Sequence, residues 1–287
     1  MELLLHPLTA SQLGGLDAQA GSVIFSGPAG LGRTAAVLQL AQRLNCPAGG
    51  GDDCVICRQI TGGNFPDLVT LFGQSVSIGI EEIERLQAQL IVSPYYQHGQ
   101  RIVVVEPAET LTLEAQNRFL KTLEEPPPRT LIVLVTTAAE ALIPTIRSRC
   151  AEIRFLPPPP DDVTAALVRA GHSKAAVTEV LALGATGPAE SQRWLSDGQM
   201  LDNRRRLSEL TAAALVAPLY QRLLLVPQLL ALGCKPSDLI QVIRRQLTAS
   251  VSDDRLITAL AALERFGRRT HAKVAPKVAL EGLMLEL

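Results

Sequence analysis

The segment Gly27–Thr34 has the spacing of a phosphate-binding loop. Its sequence, GPAGLGRT, follows an apolar run that predicts a strand and precedes a helical pattern. Glycines allow backbone N–H groups to turn inward on an anion, and the Thr34 hydroxyl is suited to hold Mg²⁺. Arg33 stands where such loops carry lysine, and its broad planar head is not equivalent to an ammonium ion. Gly27 and Gly32 therefore predict descent from a phosphate loop, while present nucleotide binding stays open.

A second candidate site is the end of the run RIVVVE, which is followed by Pro107. ATPases that use a phosphate loop end this strand with an aspartate near Mg²⁺ and a glutamate that positions water. Glu106 is a candidate for the metal position, with a solvent-facing strand end as the alternative. Proline offers neither an acceptor nor a base, so we predict that this chain alone does not hydrolyse ATP.

A third candidate is the segment Ser148-Arg149-Cys150, which precedes the last predicted strand. Arg147 lies beside it. Before it run a helix that ends at prolines 126–128 and an apolar strand. On spacing alone, an arginine at a sheet edge is most simply a solvated surface residue.

The chain has 287 residues and predicts two or three domains. Short apolar strands alternate with helices over residues 22–155, which is typical of a parallel sheet covered on both faces. Four prolines at 157–160 then end the strand signals, and only helices follow. Arg204, Arg205 and Arg206 are expected to be solvated helix residues or subunit contacts.

The bulk composition excludes some classes of protein. A net charge of −1 argues against a general nucleic-acid coat. No run approaches the roughly 20 apolar residues that span a bilayer, and the amino-terminal leucine run is too short for a signal peptide. We therefore expect a cytoplasmic protein, whose five cysteines are thiols or metal ligands. Cys234, in a helical region, is expected to be a small buried apolar residue.

The order of five segments gives a resemblance to a known family. The segments SGPAGLGRT, FPDL, RIVVVEPAETLT, NRFLKTLEEPPPRT and LIPTIRSRC follow one another as in the bacterial clamp-loader family of AAA+ proteins. The resemblance covers Ser22 to Pro158. It implies an α/β P-loop AAA+ domain with a parallel sheet over residues 1–158, a small helical lid domain over 159–201, and an all-α collar domain over 202–287.

The resemblance also implies a function. Members form a five-membered ring that opens a sliding clamp and places it on primed DNA, with no membrane partner. ATP and magnesium lie between subunits, and the arginine of the SRC motif reaches the nucleotide of the neighbouring subunit. Arg149 matches that arginine, and Ser148 and Cys150 shape its loop. The partners would be motor (gamma/tau) and delta subunits, the clamp and the primer-template DNA.

Departures from the family pattern indicate which kind of subunit this is. Hydrolysing members keep the loop lysine and an Asp-Glu pair, where this chain has Arg33, Glu106 and Pro107. They also carry an arginine in the lid domain, at the position that Glu190 takes here. The hypothesis is a non-hydrolysing stator that gives Arg149 in trans. An ATP-hydrolysing motor subunit and a standalone nucleotide-binding switch are the alternatives.

The cysteines depart from the family as well. Members carry a zinc module of four cysteines after the first helix, and this chain offers Cys46, Cys54 and Cys57 within residues 46–57. Structural zinc almost always takes four ligands. Either Asp52 or Asp53 completes the set, or no metal binds.

Overall fold

A five-stranded parallel sheet forms the centre of the amino-terminal part of the chain. In the computed structural model its strands lie in the order β2-β3-β4-β1-β5. Their bounds are β1 Ser22–Ser26, β2 Leu68–Phe72, β3 Arg101–Glu106, β4 Thr130–Thr136 and β5 Ala151–Arg154. Strands β1 and β4 are buried along their whole length. The predicted parallel sheet with two covered faces is confirmed.

The structure describes residues 3–16, 21–73, 77–96, 99–234, 236–250, 253–271 and 274–287. It divides into two units, Met1–Ala166 with Thr186–Ala189, and Leu167–Ala185 with Glu190–Leu287. The predicted three-domain division, with boundaries after 158 and 201, stays a prediction.

Helices flank the sheet on both sides. The helices up to the end of the sheet are α1 Pro7–Gly14, α2 Arg33–Asn45, α3 Val55–Thr61, α4 Ile80–Leu90, α5 Leu113–Glu124 and α6 Pro144–Arg147. Alternate residues of β1 pack on opposite faces: Val23 and Phe25 share a cluster with α2, and Ile24 shares one with α4 and α5. The Thr112 hydroxyl caps α5 by accepting the Ala115 N–H at 3.2 Å.

The carboxyl-terminal ends of three neighbouring strands bring the candidate residues together. Strand β4 pairs in parallel with β1 on one side and with β3 on the other. Gly27 follows β1, Glu106 ends β3 and Thr136 ends β4. Parallel strands direct their carboxyl ends to one edge of a sheet, which is where ligands of such folds bind.

The remaining chain is helical. Its helices are α7 Pro160–Arg169, α8 Lys174–Ala182, α9 Pro188–Ser196, α10 Gly198–Val216, α11 Leu219–Ala231, α12 Pro236–Ser250, α13 Asp253–His271 and α14 Pro276–Glu286. Helices α10 to α14 enclose a shared apolar core. Among the described residues, no helix combines the length and the apolar composition that crossing a bilayer requires.

One residue of the arginine run differs from expectation. The Arg204 guanidinium lies 4.6 Å from the centre of the Trp194 ring and 2.7 Å from the Asp238 carboxylate, and its side chain is 12% exposed. Of the two expected roles, a solvated helix residue is therefore wrong for Arg204, and a subunit contact stays a prediction. Arg206 is exposed as expected, while Arg205 pairs with Glu179 at 2.6 Å.

Candidate functional site

The phosphate-type loop folds between β1 and α2, as its spacing predicts. Gly27 and Gly32 have φ angles of 139° and 76°, which favour glycine. Gly32 precedes the first residue of α2, Arg33. The loop therefore has the strand-loop-helix setting of a phosphate site, and Thr34 lies in the first turn of the helix.

The Arg33 side chain turns back into the protein. Its Nη1 donates to the carbonyl oxygen of Gly27 at 2.6 Å and to that of Thr136, so it joins the loop to the end of β4. The residue is 8% exposed. Burial lowers the pKa of the guanidinium, and the nearby carboxylates of Glu109 and Glu106 oppose that shift. Arg33 is thus a buried cation bonded to backbone carbonyls.

Glu106 lies against the loop rather than in open solvent. The Thr34 hydroxyl is 3.0 Å from each of its carboxylate oxygens. This pairing of a hydroxyl with a carboxylate is compatible with a Mg²⁺ site, because both are hard oxygen ligands. Pro107 follows directly, and no side chain at that position can activate water.

Sequence reasoning missed Glu109, which lies three residues beyond Glu106. It accepts the hydroxyl of Thr137 at 2.6 Å and the Thr137 N–H at 3.2 Å. Its second oxygen is buried and has no hydrogen-bond partner among the described residues. Because Glu109 also acts electrostatically on Arg33, the site holds two acids and one cation. The sequence feature that could have identified Glu109 is its position just after β3, which ends at the site.

Arg149 lies at the opposite edge of the sheet. It lies in the turn just before β5, whose first residue Ala151 pairs with Val23 near the start of β1. Gly27 follows the other end of β1, after Ser26. The structure therefore does not bring Arg149 together with the phosphate-type loop of its own chain.

The Arg149 side chain is held at the surface by its neighbours. Its Nε lies 3.2 Å from the Glu124 carboxylate, and its Nη1 donates to the Thr145 carbonyl oxygen at 3.2 Å. The side chain is 35% exposed. Ser148 is exposed and donates to the same carbonyl, at 3.1 Å, which closes the short turn after α6.

Cys150 anchors the turn from below. It is buried, and burial raises the pKa of its thiol to about 12. It packs in the cluster beneath α5, together with Ile146 and Phe119. A neutral, buried cysteine here acts as an apolar anchor beneath the exposed Ser148 and Arg149.

The three amino-terminal cysteines form a cluster with one aspartate. The ligand atoms of Cys46, Asp52, Cys54 and Cys57 all lie within 4.8 Å of one another. The Cys46 Sγ is 3.2 Å from an Asp52 oxygen and 3.7 Å from the Cys54 Sγ. Hydrogen bonds from the thiols of Cys57, Cys54 and Cys46 lower the pKa of Asp52 to about 2. Asp52, not Asp53, is therefore the fourth group.

This donor set fits a metal ion of the zinc class. Three thiols and one carboxylate give four ligands, the number that structural zinc takes. Cys46 ends α2 and Cys54 caps α3 by accepting the Cys57 N–H at 3.4 Å, so the cluster joins two helix ends.

Two further residues singled out from the sequence, Glu190 and Cys234, lie outside the groups described above. Glu190 lies in α9, in the second unit. Cys234 is half-buried after α11, and burial raises the pKa of its thiol.

Comparisons with known proteins identify the family. A family model described as DNA polymerase III, delta subunit, matches residues 16–159. A DNA polymerase III subunit delta' from Pseudomonas aeruginosa is 32% identical over 196 residues, which cover 66% of this chain and 60% of that protein. A subunit delta' from Bacillus subtilis is 33% identical over 155 residues, covering 53% and 47%.

Subunits with another name are also similar. The DNA polymerase III subunit tau of Bacillus subtilis is 32% identical over 136 residues, 46% of this chain and 24% of that protein. The chain spans no more than three fifths of the length of these relatives. The family model, however, covers half of the chain, including the loop, the strand end and the SRC segment. This chain therefore belongs to the DNA polymerase III delta subunit family, the clamp-loader family that its motifs resemble.

Proposed function

We propose that this chain is the non-hydrolysing stator of a clamp loader and supplies Arg149 to nucleotide bound by a neighbouring subunit. The observation that carries the proposal is the placement of Arg149 just before β5 and of the phosphate-type loop just after β1, at opposite ends of two paired parallel strands. Because Arg149 lies far from its own loop, any nucleotide that it serves belongs to another chain.

The local geometry of Arg149 suits such a role. An arginine delivered in trans stabilises the charge that develops on the transferred phosphoryl group. The guanidinium is partly exposed, and its partner Glu124 is 57% exposed. Exposed ion pairs are weak, so a phosphate can replace the carboxylate at small cost. The Thr145 carbonyl and the buried Cys150 hold the turn in place meanwhile.

The chain's own site supports the non-hydrolysing half of the proposal. Arg33 directs its donors at backbone carbonyls. Pro107 removes the residue that would position water. Since delta' and tau relatives have similar identities to this chain, these residues favour the stator over the ATP-hydrolysing motor.

An exposed apolar surface supports assembly with other subunits. It lies at the end of α10 and along α11, and consists of Val216, Leu219, Tyr220, Leu223 and Leu224. The spacing of three and four residues along α11 places its members on one face. Contiguous apolar surface of this kind marks protein contacts. The proposed partners are gamma/tau and delta subunits, with the sliding clamp and primed DNA reached through the assembly in the cytoplasm.

We also infer that the Cys46-Asp52-Cys54-Cys57 cluster holds a structural zinc ion. Bound there, zinc would join the end of α2 to the start of α3. Four protein ligands leave no open position, so the role is structural rather than catalytic.

A reconstituted loader tests the trans role of Arg149. We expect Arg149→Ala to abolish ATP turnover at the neighbouring site and to reduce clamp loading, while the subunits still co-elute in gel filtration. Arg147→Ala is the matched control, because it removes an exposed arginine two residues away and is expected to leave both activities unchanged. Unchanged turnover with Arg149→Ala would contradict the proposal.

A second measurement separates the stator from its alternatives. The purified chain is expected to show no Mg²⁺-dependent ATP hydrolysis, whereas measurable turnover without partners would favour a motor subunit. Failure to co-assemble with any loader subunit would favour a standalone switch.

A further inference from the structure

We propose that the phosphate-type loop is occupied by groups of its own chain, with Arg33 on the inner side and the segment Thr186–Ala189 on the outer side. The inference rests on the proposed absence of ATP hydrolysis by this chain and gives it a physical cause. It is independent of Arg149. It assigns Arg33 a positioning role in place of a ligand-binding role.

The inner side is closed by Arg33. Its guanidinium bonds to the carbonyl oxygens of Gly27, at the start of the loop, and Thr136, at the end of β4. Arg33 is only 8% exposed, so it makes both hydrogen bonds away from bulk water. If the side chain left to meet a phosphate, two carbonyl groups in this poorly exposed region would lose a charged donor, which is unfavourable. The charge of Arg33 is also balanced by Glu109 and Glu106.

The outer side is covered by the segment Thr186–Ala189, which includes the first two residues of α9 and belongs to the same structural unit as the loop. The Thr186 hydroxyl donates to the carbonyl oxygen of Ala29 at 2.8 Å. A methyl group added at Gly187 would lie 2.9 Å from the carbonyl oxygen of Gly30, so the two backbones are in close contact. Only glycine permits this approach without a shift of one segment.

A third contact closes the start of α2. A methyl group added at Gly32 would lie 2.5 Å from the Leu3 side chain, so Leu3 packs directly on the backbone there. A helix amino terminus of this kind binds a phosphate when its N–H groups face open space. Here the Leu3 side chain lies against the Gly32 backbone at that terminus, while Arg33 and Thr186 bond to carbonyl groups of the loop.

These contacts give the loop a mechanical function. Its carbonyl groups accept hydrogen bonds from Arg33 and Thr186, and the loop thereby connects β4 with the segment 186–189. In a nucleotide-binding subunit, occupancy of the loop changes during the cycle. In this chain the groups that occupy the loop are side chains of the protein itself, so the connection does not depend on a bound nucleotide.

The test combines stability with amide hydrogen exchange of the full chain. Arg33→Met keeps the apolar stem and removes the charged donors. We expect it to lower the unfolding midpoint by roughly 5 °C and to increase exchange of the amides at 27–34. Arg85→Met is the control, because Arg85 is 70% exposed and its contacts in the described structure are with Glu82 and the Glu81 carbonyl of its own helix. A midpoint unchanged by Arg33→Met would overturn the inference.

A milder variant and a ligand control complete the test. Thr186→Val keeps the volume and removes the donor, so exchange at 27–34 should rise several-fold while the midpoint barely moves; unchanged exchange would overturn the outer half. Millimolar MgATP should leave the wild-type midpoint and exchange unchanged, because a bound ligand would raise the midpoint. Protection by MgATP would overturn self-occupation, yet Arg149 could still act in trans, so the two proposals fail separately.

Discussion

The carboxylate of Glu124 holds the guanidinium of Arg149 with an Nε–O distance of 3.2 Å, and so joins the last turn of α5 to the turn before β5. The contact connects two of the segments that carry the family resemblance, NRFLKTLEEPPPRT and LIPTIRSRC. The two side chains are 57% and 35% exposed, respectively. Glu124 therefore pairs with Arg149 at the protein surface and leaves the guanidinium partly exposed.

This contact gives the first prediction. Glu124→Ala removes an exposed ion-pair partner, so we expect a loss of stability below about 1 kcal/mol. In a reconstituted loader it should leave ATP turnover within about twofold of wild type, because the Thr145 carbonyl still orients the arginine. Chemical unfolding and steady-state ATPase assays measure the two effects. A loss of turnover as large as that of Arg149→Ala would instead make Glu124 a positioning residue.

Metal content gives the second prediction. The purified chain should contain one zinc ion, and Asp52→Asn should weaken zinc binding at least tenfold or so, since even outer-shell partners have effects of that size. Asp53→Asn is the matched control, because Asp53 is the next residue and lies outside the ligand cluster. Competition with a chromogenic chelator measures the affinity. Equal effects of the two variants would contradict the assignment of Asp52.

Thiol reactivity gives the third prediction. Burial raises the pKa of Cys150 to about 12, so only about one thiol in 10⁴ is ionised at pH 8. Cys150 should resist iodoacetamide in the native protein and react after unfolding, as followed by mass spectrometry. Since the folded pKa is raised, the stability contributed by the neutral thiol is present below the unfolded pKa near 9 and is lost as pH rises toward 12. Prompt labelling of native Cys150 would contradict this.

The fourth prediction concerns the Arg204–Asp238 pair. Arg204 is 12% exposed and stacks on Trp194, and Asp238 is 24% exposed. A double-mutant cycle with Arg204→Met and Asp238→Asn should give a coupling energy of about 1–2 kcal/mol, because the pair is largely shielded from water. It is measured by chemical unfolding of the four proteins.

The control for this cycle is an exposed ion pair within α10, the helix that carries Arg204. Arg206 and Glu209 are 3.7 Å apart and 59% and 67% exposed, so their coupling should stay below roughly 0.5 kcal/mol. Similar couplings in the two cycles would mean that burial and the Trp194 stack add nothing to the Arg204 pair.

The sheet and its loop were predictable from local patterns. Runs such as RIVVVE are apolar on both faces, and they become central buried strands for that reason. The loop spacing needs only neighbouring residues to fold, and Gly27 and Gly32 adopt the positive φ angles that its type demands. The sequence also offered Glu106 either to a metal or to solvent, and the structure places it against Thr34.

Other features depend on contacts between distant residues. The choice of Asp52 over Asp53 depends on which carboxylate the turn after Cys46 places beside the cysteine sulfur atoms, and adjacent aspartates carry no signal of that kind. Arg204 is largely shielded from water because Trp194 and Asp238 approach it from two other helices. Glu109 joins the site because β3 and β4 are neighbours, which places it beside Thr137.

Arg149 and the phosphate-type loop lie at opposite edges of the sheet. The chain therefore has two different ends, one that carries the arginine and one that carries the loop. Contacts between such ends are head-to-tail, not two-fold symmetric. Under the proposed role, the end that carries Arg149 acts on nucleotide and the end that carries the loop does not. If the loop is occupied as proposed, a second copy stacked on the first would present its Arg149 to a loop that Arg33 already fills. Under the proposed role, the chain is therefore suited to stand at one end of a row of subunits. The contact between two adjacent copies would not hydrolyse ATP.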